Sequence, residues 1–71
     1  MTYLLKNDEG QYLSDIDSAE SKVTFTTVQK DAKQYGGGEW FADTELEYVK
    51  FHFKDRPEVA TLHVVREMVS E

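Results

Sequence analysis

The chain opens with two short apolar segments joined by turn-forming residues. Residues 3–6 and 12–16 have the apolar content and length of strands. Gly10 lies between them, and glycine accepts the positive φ angle of a tight turn without steric cost. The pattern therefore predicts a β-hairpin, with Tyr12 and Ile16 on the same face of its second strand.

Two more strands are predicted, one on each side of a helical region. Residues 23–26 alternate between apolar and polar side chains, which predicts a third strand with Val23 and Phe25 facing inward. Residues 59–69 are rich in valine and predict the last strand. Arg66 interrupts its apolar face, which indicates that the end of the strand turns into solvent. The apolar residues expected to share one face of that strand are Ala60, Leu62, Val64 and Met68.

A short helix is predicted between residues 26 and 35. Thr26 and Gln29 have the spacing of a capping box. Three consecutive glycines, residues 36–38, follow and are expected to end the helix. The inward stripe of this helix would consist of Val28, Ala32 and Tyr35.

Residues 40–56 fit two structures. As a helix, the segment is capped by Thr44, Glu47 completes a capping box, and basic residues collect toward the other end. As a strand, residues 48–54 alternate and are rich in aromatic rings. The agreement between the cap and the charge order favours the helix, and Pro57 ends either element. The inward stripe of the helix would be Leu46, Val49 and Phe53.

The order of elements is therefore β-β-β-α-α-β, which indicates the α+β class. We expect a single small domain, residues 1–71, with an antiparallel sheet and one or two short helices packed on one face. Aromatic residues make up 13% of the chain, and their large rings suit a small core. The chain has no cysteine, which excludes disulfides, thiolate zinc sites and iron–sulfur clusters.

Charge is distributed unevenly along the chain. The 71 residues include 14 acidic and 8 basic side chains, for a formal net charge of −6. Two segments, residues 7–21 and 34–49, carry carboxylates and no lysine or arginine. Such segments repel bare nucleic acid and attract basic surfaces. Their carboxylates are Asp8, Glu9, Asp15, Asp17 and Glu20 in the first, and Glu39, Asp43, Glu45 and Glu47 in the second.

Catalytic, metal and cofactor chemistry find little support in the sequence. Asp15 and Asp17 share a face and could hold a hard cation, but a solvated outer face is the simpler interpretation. His52 and His63 are interpreted as outward or edge positions rather than a metal pair. The glycines at 36–38 lack the lysine and serine or threonine of a phosphate loop. We therefore expect no enzyme, no metal and no cofactor.

The N-terminus lacks the pattern of a signal peptide, and no apolar run approaches the about 20 residues that span a bilayer. We therefore expect an unprocessed cytoplasmic protein without a membrane partner.

Trp40 and Phe41 either pack on the core, which we favour, or form an exposed anchor beside the acidic segment.

Several short motifs span most of the chain and end with the Val-rich last strand. They are Tyr3-Leu4-Leu5-Lys6-Asn7, Gly10-Gln11-Tyr12-Leu13, Phe25-Thr26 and Asp31-Ala32-Lys33-Gln34-Tyr35. This set resembles the small proteins of unknown function found in phages and prophages of Gram-positive bacteria. The resemblance implies a phage origin, and small acidic phage proteins often look like blockers of host nucleic-acid machinery. It supplies no catalytic residues.

The leading hypothesis is a small non-enzymatic protein that docks on a basic site of a host protein, such as a CRISPR nuclease or another defence enzyme, by imitating a phosphate backbone. It makes no direct contact with nucleic acid. The alternative is a self-associating accessory protein, a homodimer formed through edge strands or aromatics, whose acidity serves solubility only. The expected partner-binding residues are Asp8, Glu9, Asp15, Asp17, Glu20, Glu39, Trp40, Phe41, Asp43, Glu45, Glu47 and Tyr48.

Overall fold

A four-stranded antiparallel sheet, with helices on one face, forms the architecture of the computed structural model, which describes residues 2–69. The α+β class and the order β-β-β-α-α-β are confirmed. The spatial order of the strands is β3-β2-β1-β4. The elements are β1 (Thr2–Lys6), β2 (Tyr12–Asp17), β3 (Lys22–Thr26), a 3-10 turn (Gln29–Asp31), α1 (Glu39–His52), α2 (Pro57–Ala60) and β4 (His63–Glu67).

The predicted hairpin of β1 and β2 is confirmed, and a buried asparagine organises its turn. Gly10 has a φ angle of 79°, in the left-handed region where glycine is favoured. The Asn7 side-chain oxygen accepts hydrogen bonds from the amides of Glu9 and Gln11, both at 3.0 Å. Its side-chain nitrogen donates to the Glu58 carbonyl at 3.2 Å, which attaches the turn to α2.

A β-bulge in β2 changes which side chains face the helices. Leu13 pairs with Phe25 and Asp15 pairs with Thr24, so Ser14 is the extra residue. Because of this extra residue, Leu13 and Ile16 both pack on the helical side, whereas Tyr12 packs on the opposite face. The prediction that Tyr12 and Ile16 share a face was wrong for this reason.

Residues 33–35 pass between β1 and β2, which pair only at Lys6 and Tyr12 beside their turn. Farther from the turn, the Lys33 amide donates to the Leu13 carbonyl at 2.9 Å, and the Tyr35 amide donates to the Tyr3 carbonyl at 3.0 Å. These amides are thereby paired with strands rather than with a preceding helical turn.

The predicted helix over residues 26–35 is replaced by the 3-10 turn. The Thr26 side chain accepts from the Val28 amide at 3.0 Å, so the capping box with Gln29 does not form. Val28 is exposed, whereas Ala32 and Tyr35 are buried on opposite faces of the sheet. The segment therefore crosses from one face to the other as it passes the two strands.

The helix predicted within residues 40–56 is confirmed as α1, but its start is five residues earlier than Thr44. The Thr44 hydroxyl donates to the Trp40 carbonyl at 2.8 Å, a bond within the helix rather than a cap. The capping box of Thr44 and Glu47 was therefore wrong. The inward stripe is confirmed: the buried or half-buried apolar residues are Ala42, Leu46, Val49 and Phe53.

The last strand is shorter than predicted because its first residues form α2. Pro57 is the first residue of α2, a position where its missing amide hydrogen costs nothing. Val59 and Leu62 are buried against the helical core, whereas Ala60 and Met68 are exposed. The shared face predicted for Ala60, Leu62, Val64 and Met68 was therefore wrong.

Two apolar clusters lie on opposite faces of the sheet. Consecutive residues Leu4 and Leu5 are both fully buried and belong to different clusters. The smaller cluster joins Leu4 to Tyr12 and Ala32 beside the 3-10 turn. The larger cluster lies between the sheet and the helices and orients α1, because it holds the inward stripe of that helix.

Candidate functional site

Four aromatic side chains on α1 point away from the core. An α-helix has about 3.6 residues per turn, which places these four side chains on the side of α1 opposite the buried residues Ala42 and Val49. We call this surface the aromatic face, and its residues with their exposed fractions are Trp40 (69%), Phe41 (52%), Tyr48 (39%) and Phe51 (72%). The expectation that Trp40 and Phe41 pack on the core was wrong, and both occupy the alternative, exposed position.

Trp40 and Phe41 form an ordered pair at the start of α1. Their ring centroids are 5.0 Å apart with an interplanar angle of 85°, an edge-to-face contact. The Phe41 ring lies directly over Gly37, where a Cβ atom would come within 2.6 Å of the ring. The absence of a side chain at Gly37 therefore permits the position of the Phe41 ring.

A second group of rings lies at the end of α1. The Tyr48 and His52 rings have centroids 4.3 Å apart, and the Phe51 and His52 rings have centroids 5.1 Å apart. His52 and His63 are both exposed, as the sequence predicted. Phe51 is the most exposed ring of the aromatic face, yet the expected partner-binding residues did not include it. Its spacing of three residues from Tyr48 was the available signal.

Charged side chains flank the aromatic face and change sign along the helix. We call Glu39, Asp43 and Glu47 the acidic row, since each follows the last by four residues along one side of the aromatic face. All three are exposed, and within residues 2–69 none forms an ion pair. Lys50 and Lys54 are exposed near the other end of α1 and are likewise unpaired among the described residues.

Glu45 is engaged within the fold. It is half-buried, forms an ion pair with Lys33 and accepts a hydrogen bond of 2.8 Å from the Tyr35 hydroxyl. Burial, and secondarily the hydrogen bond with Glu45, raises the pKa of Tyr35 far above its usual value. Glu45 therefore attaches α1 to residues 33–35, which pass between β1 and β2. Its surroundings differ from those of the acidic row.

The first acidic segment is divided between two ends of the sheet. Asp8 and Glu9 are exposed in the β1–β2 turn, which hydrogen-bonds to Glu58 of α2 and to Thr61 just after it. Asp17 and Glu20 are exposed at the opposite end of β2, where the Asp17 side chain accepts from the Glu20 amide at 3.2 Å. Asp15 is exposed on the face away from the helices, since it alternates with the inward Ile16. The carboxylates of this segment thus do not form one surface.

A polar cluster covers part of the sheet face opposite α1. The Tyr12 hydroxyl donates to Glu67 at 2.6 Å, and the Gln29 side-chain amide donates to the same carboxylate at 2.7 Å. Lys6 lies 3.8 Å from the other carboxylate oxygen. The hydrogen bond from Tyr12 is the main cause that lowers the pKa of Glu67, and it also raises the pKa of Tyr12. These groups satisfy one another and stabilise the fold.

Among residues 2–69, no group of three or more His, Asp or Glu side chains is arranged to hold a metal ion. An open depression of about 200 Å³ is lined by Thr2, Gln34, Met68 and Val69, none of which titrates near neutral pH. Over the same residues, no helix has the length and apolar character needed to cross a membrane.

No family model, curated protein or solved structure matches this chain. The resemblance to phage proteins therefore stays a prediction.

Proposed function

We propose that the protein is a non-enzymatic binding module that docks the first half of α1 on a basic, nucleic-acid-binding site of another protein. Trp40 and Phe41 would anchor the contact, and the acidic row would face lysine and arginine side chains of the partner. The observation that carries the proposal is the exposure of this ordered ring pair beside carboxylates that have no ion-pair partner within residues 2–69.

The two parts of this surface have different physical roles. Large aromatic side chains, once covered, contribute most of the binding free energy in many protein interfaces. Edge-to-face contact restrains Trp40 and Phe41 before binding, which reduces the entropy lost on association. Exposed carboxylates contribute less to affinity, but they accelerate encounter with a basic surface and make binding sensitive to salt.

The proposed contact is smaller than the surface expected from the sequence. Glu45 is paired with Lys33, and the carboxylates of residues 8–20 lie at two ends of the sheet. A continuous imitation of a phosphate backbone would therefore be confined to the acidic row, whose members recur about once per helical turn. A phage origin and a host defence protein as target remain part of the proposal and rest on the resemblance of the sequence motifs.

Capture of partners from bacterial lysate, with matched variants as bait, tests this proposal. The triple variant Glu39→Gln, Asp43→Gln, Glu47→Gln and the single variant Trp40→Ala should lose a partner that the wild type retains. The control, Asp15→Asn, Asp17→Asn, Glu20→Gln, removes the same charge elsewhere on the surface and should retain it. The captured protein, once purified, should release duplex DNA or RNA when the wild type is added, and less readily as salt is raised.

Two results would contradict the proposal. Undiminished affinity of the partner for the Gln triple variant would show that the acidic row does not contribute. Equal losses in the Gln triple variant and in its control would show that net charge alone, rather than the surface of α1, governs binding. Circular dichroism of each bait establishes that the substitutions leave the fold intact.

A further inference from the structure

The outer surface of α1 is complementary to itself when one copy is reversed. Its first half carries the acidic row, and Lys50 and Lys54 follow near its end. We infer that two copies of the chain associate through α1 in antiparallel orientation, related by a two-fold axis. The inference uses the whole aromatic face and does not depend on the basic partner proposed above.

The charge order selects the antiparallel orientation. A two-fold axis perpendicular to both helices makes the second helix run in the opposite direction to the first. The same axis brings corresponding sides of the two helices together. Glu39 and Asp43 of one copy then lie beside Lys50 and Lys54 of the second copy, and the reciprocal contacts repeat at the other end. A parallel two-fold pair would instead leave both acidic rows at the same height, where the carboxylates of one copy have no lysine of the second copy beside them.

The aromatic residues fit the same arrangement. Trp40 lies near the start of α1 and Phe51 lies near its end, and these are the two most exposed rings of the aromatic face. In an antiparallel pair, Trp40 of one copy meets Phe51 of the second copy, and the contact occurs twice. Four large rings per copy, exposed to water in the monomer, would be covered at once.

The size of this surface sets the expected affinity. A contact made by one helix from each copy lies near or below the lower limit of about 1,200 Å² for stable interfaces. We therefore expect a weak and reversible dimer that forms as protein concentration rises. Since the dimer covers Trp40 and Phe41, self-association would compete with any partner that uses the first half of α1.

Sedimentation equilibrium of the purified protein, from micromolar to millimolar concentration, tests the inference. The wild type should shift from monomer to dimer. The variants Glu39→Lys/Asp43→Lys and Lys50→Glu/Lys54→Glu should each associate at least about tenfold more weakly, because like charges then meet at both ends. An equimolar mixture of the two variants should recover the association of the wild type, because each acidic end again meets a basic end.

Matched controls separate contact from net charge. Asp15→Lys/Asp17→Lys and Lys22→Glu/Lys30→Glu make the same charge changes away from α1, and both should associate like the wild type. The inference is overturned if the wild type remains monomeric at millimolar concentration, or if the mixture associates no better than its components. It is also overturned if the control variants weaken association equally. Because only the purified chain is used, these outcomes leave the basic-partner proposal untouched.

Discussion

The Tyr35 hydroxyl donates a hydrogen bond of 2.8 Å to the Glu45 carboxylate, across a loop that contains all three consecutive glycines. The Tyr35 amide also donates to the Tyr3 carbonyl of β1 at 3.0 Å. One residue therefore connects the centre of the sheet to the middle of α1. Together with the buried Val49, this connection determines which side of α1 faces solvent and hence where the aromatic face lies.

We expect Tyr35→Phe to lower the free energy of unfolding by about 1–2 kcal/mol, because the half-buried Glu45 carboxylate loses a donor. Urea denaturation followed by circular dichroism measures the change. The exposed Glu47 on the same helix offers a control, since Glu47→Gln should change stability by no more than about 0.5 kcal/mol. Equal effects of the two substitutions would contradict the role given to Tyr35.

Stability should also decline at alkaline pH because of Tyr35. Its pKa is raised in the folded protein above the value of 10.0 for an unperturbed tyrosine, so folding favours the protonated hydroxyl. The contribution is fully present below pH 10.0 and is lost as the pH rises above it. Urea titrations between neutral pH and the alkaline range should show a shallower decline for Tyr35→Phe than for the wild type.

The carboxylate of Glu67 should make stability sensitive to acid. Its pKa is lowered from 4.5, chiefly by the hydrogen bond from Tyr12, so folding favours the ionised form. This contribution is present above pH 4.5 and is lost as the pH falls through the lowered value. The difference in unfolding free energy between wild type and Tyr12→Phe should therefore shrink on acidification. A difference that is independent of pH would contradict this assignment.

Gly10→Ala should destabilise the protein by about 1 kcal/mol or more, because an alanine in the left-handed region is strained. The φ angle of Gly10 is 79°. Gly36→Ala is the matched control: a Cβ atom there meets nothing within 4 Å, and the residue does not have a positive φ angle. Thermal unfolding of both variants measures the difference, and similar melting temperatures would show that the turn tolerates the strain.

Gly37→Ala should alter the aromatic face with little loss of stability. The added methyl group would lie 2.6 Å from the Phe41 ring, and this half-exposed ring can move aside. Because the Phe41 ring contacts Trp40, we expect changes in Trp40 fluorescence and in near-ultraviolet circular dichroism. Gly36→Ala should leave both spectra unchanged. Unaltered spectra of Gly37→Ala would show that Phe41 does not rest on this glycine.

Local patterns in the sequence predicted the elements whose hydrogen bonds join residues close together in the chain. The hairpin turn followed from Gly10, and the inward stripe of α1 followed from the spacing of Leu46, Val49 and Phe53. The helix expected at residues 26–35 failed because the strands accept hydrogen bonds from the amides of Lys33 and Tyr35. Propensity cannot reveal such a competition between helix and sheet, since the competing carbonyls belong to distant residues.

The candidate site was predicted only in part. The sequence identified Trp40, Phe41 and Tyr48 as possible contact residues but favoured a core position for the first two. Phe51 was not among the expected contact residues, although its spacing of three residues from Tyr48 places both on one side of the favoured helix. The pairing of Glu45 with Lys33 spans twelve residues in the sequence. It depends on the passage of residues 33–35 between two strands, and no local pattern indicates that passage.

The sequence by itself determined the α+β class, the order of elements and the amphipathic character of α1, because these depend on side-chain periodicity and turn residues within a few positions. Only the tertiary structure decided that Trp40 and Phe51 face water, that Tyr12 and Ile16 lie on opposite sides of β2, and that the carboxylates divide into separate groups. Each of these facts depends on how distant segments pack, and burial and pairing are properties of that packing rather than of any local segment.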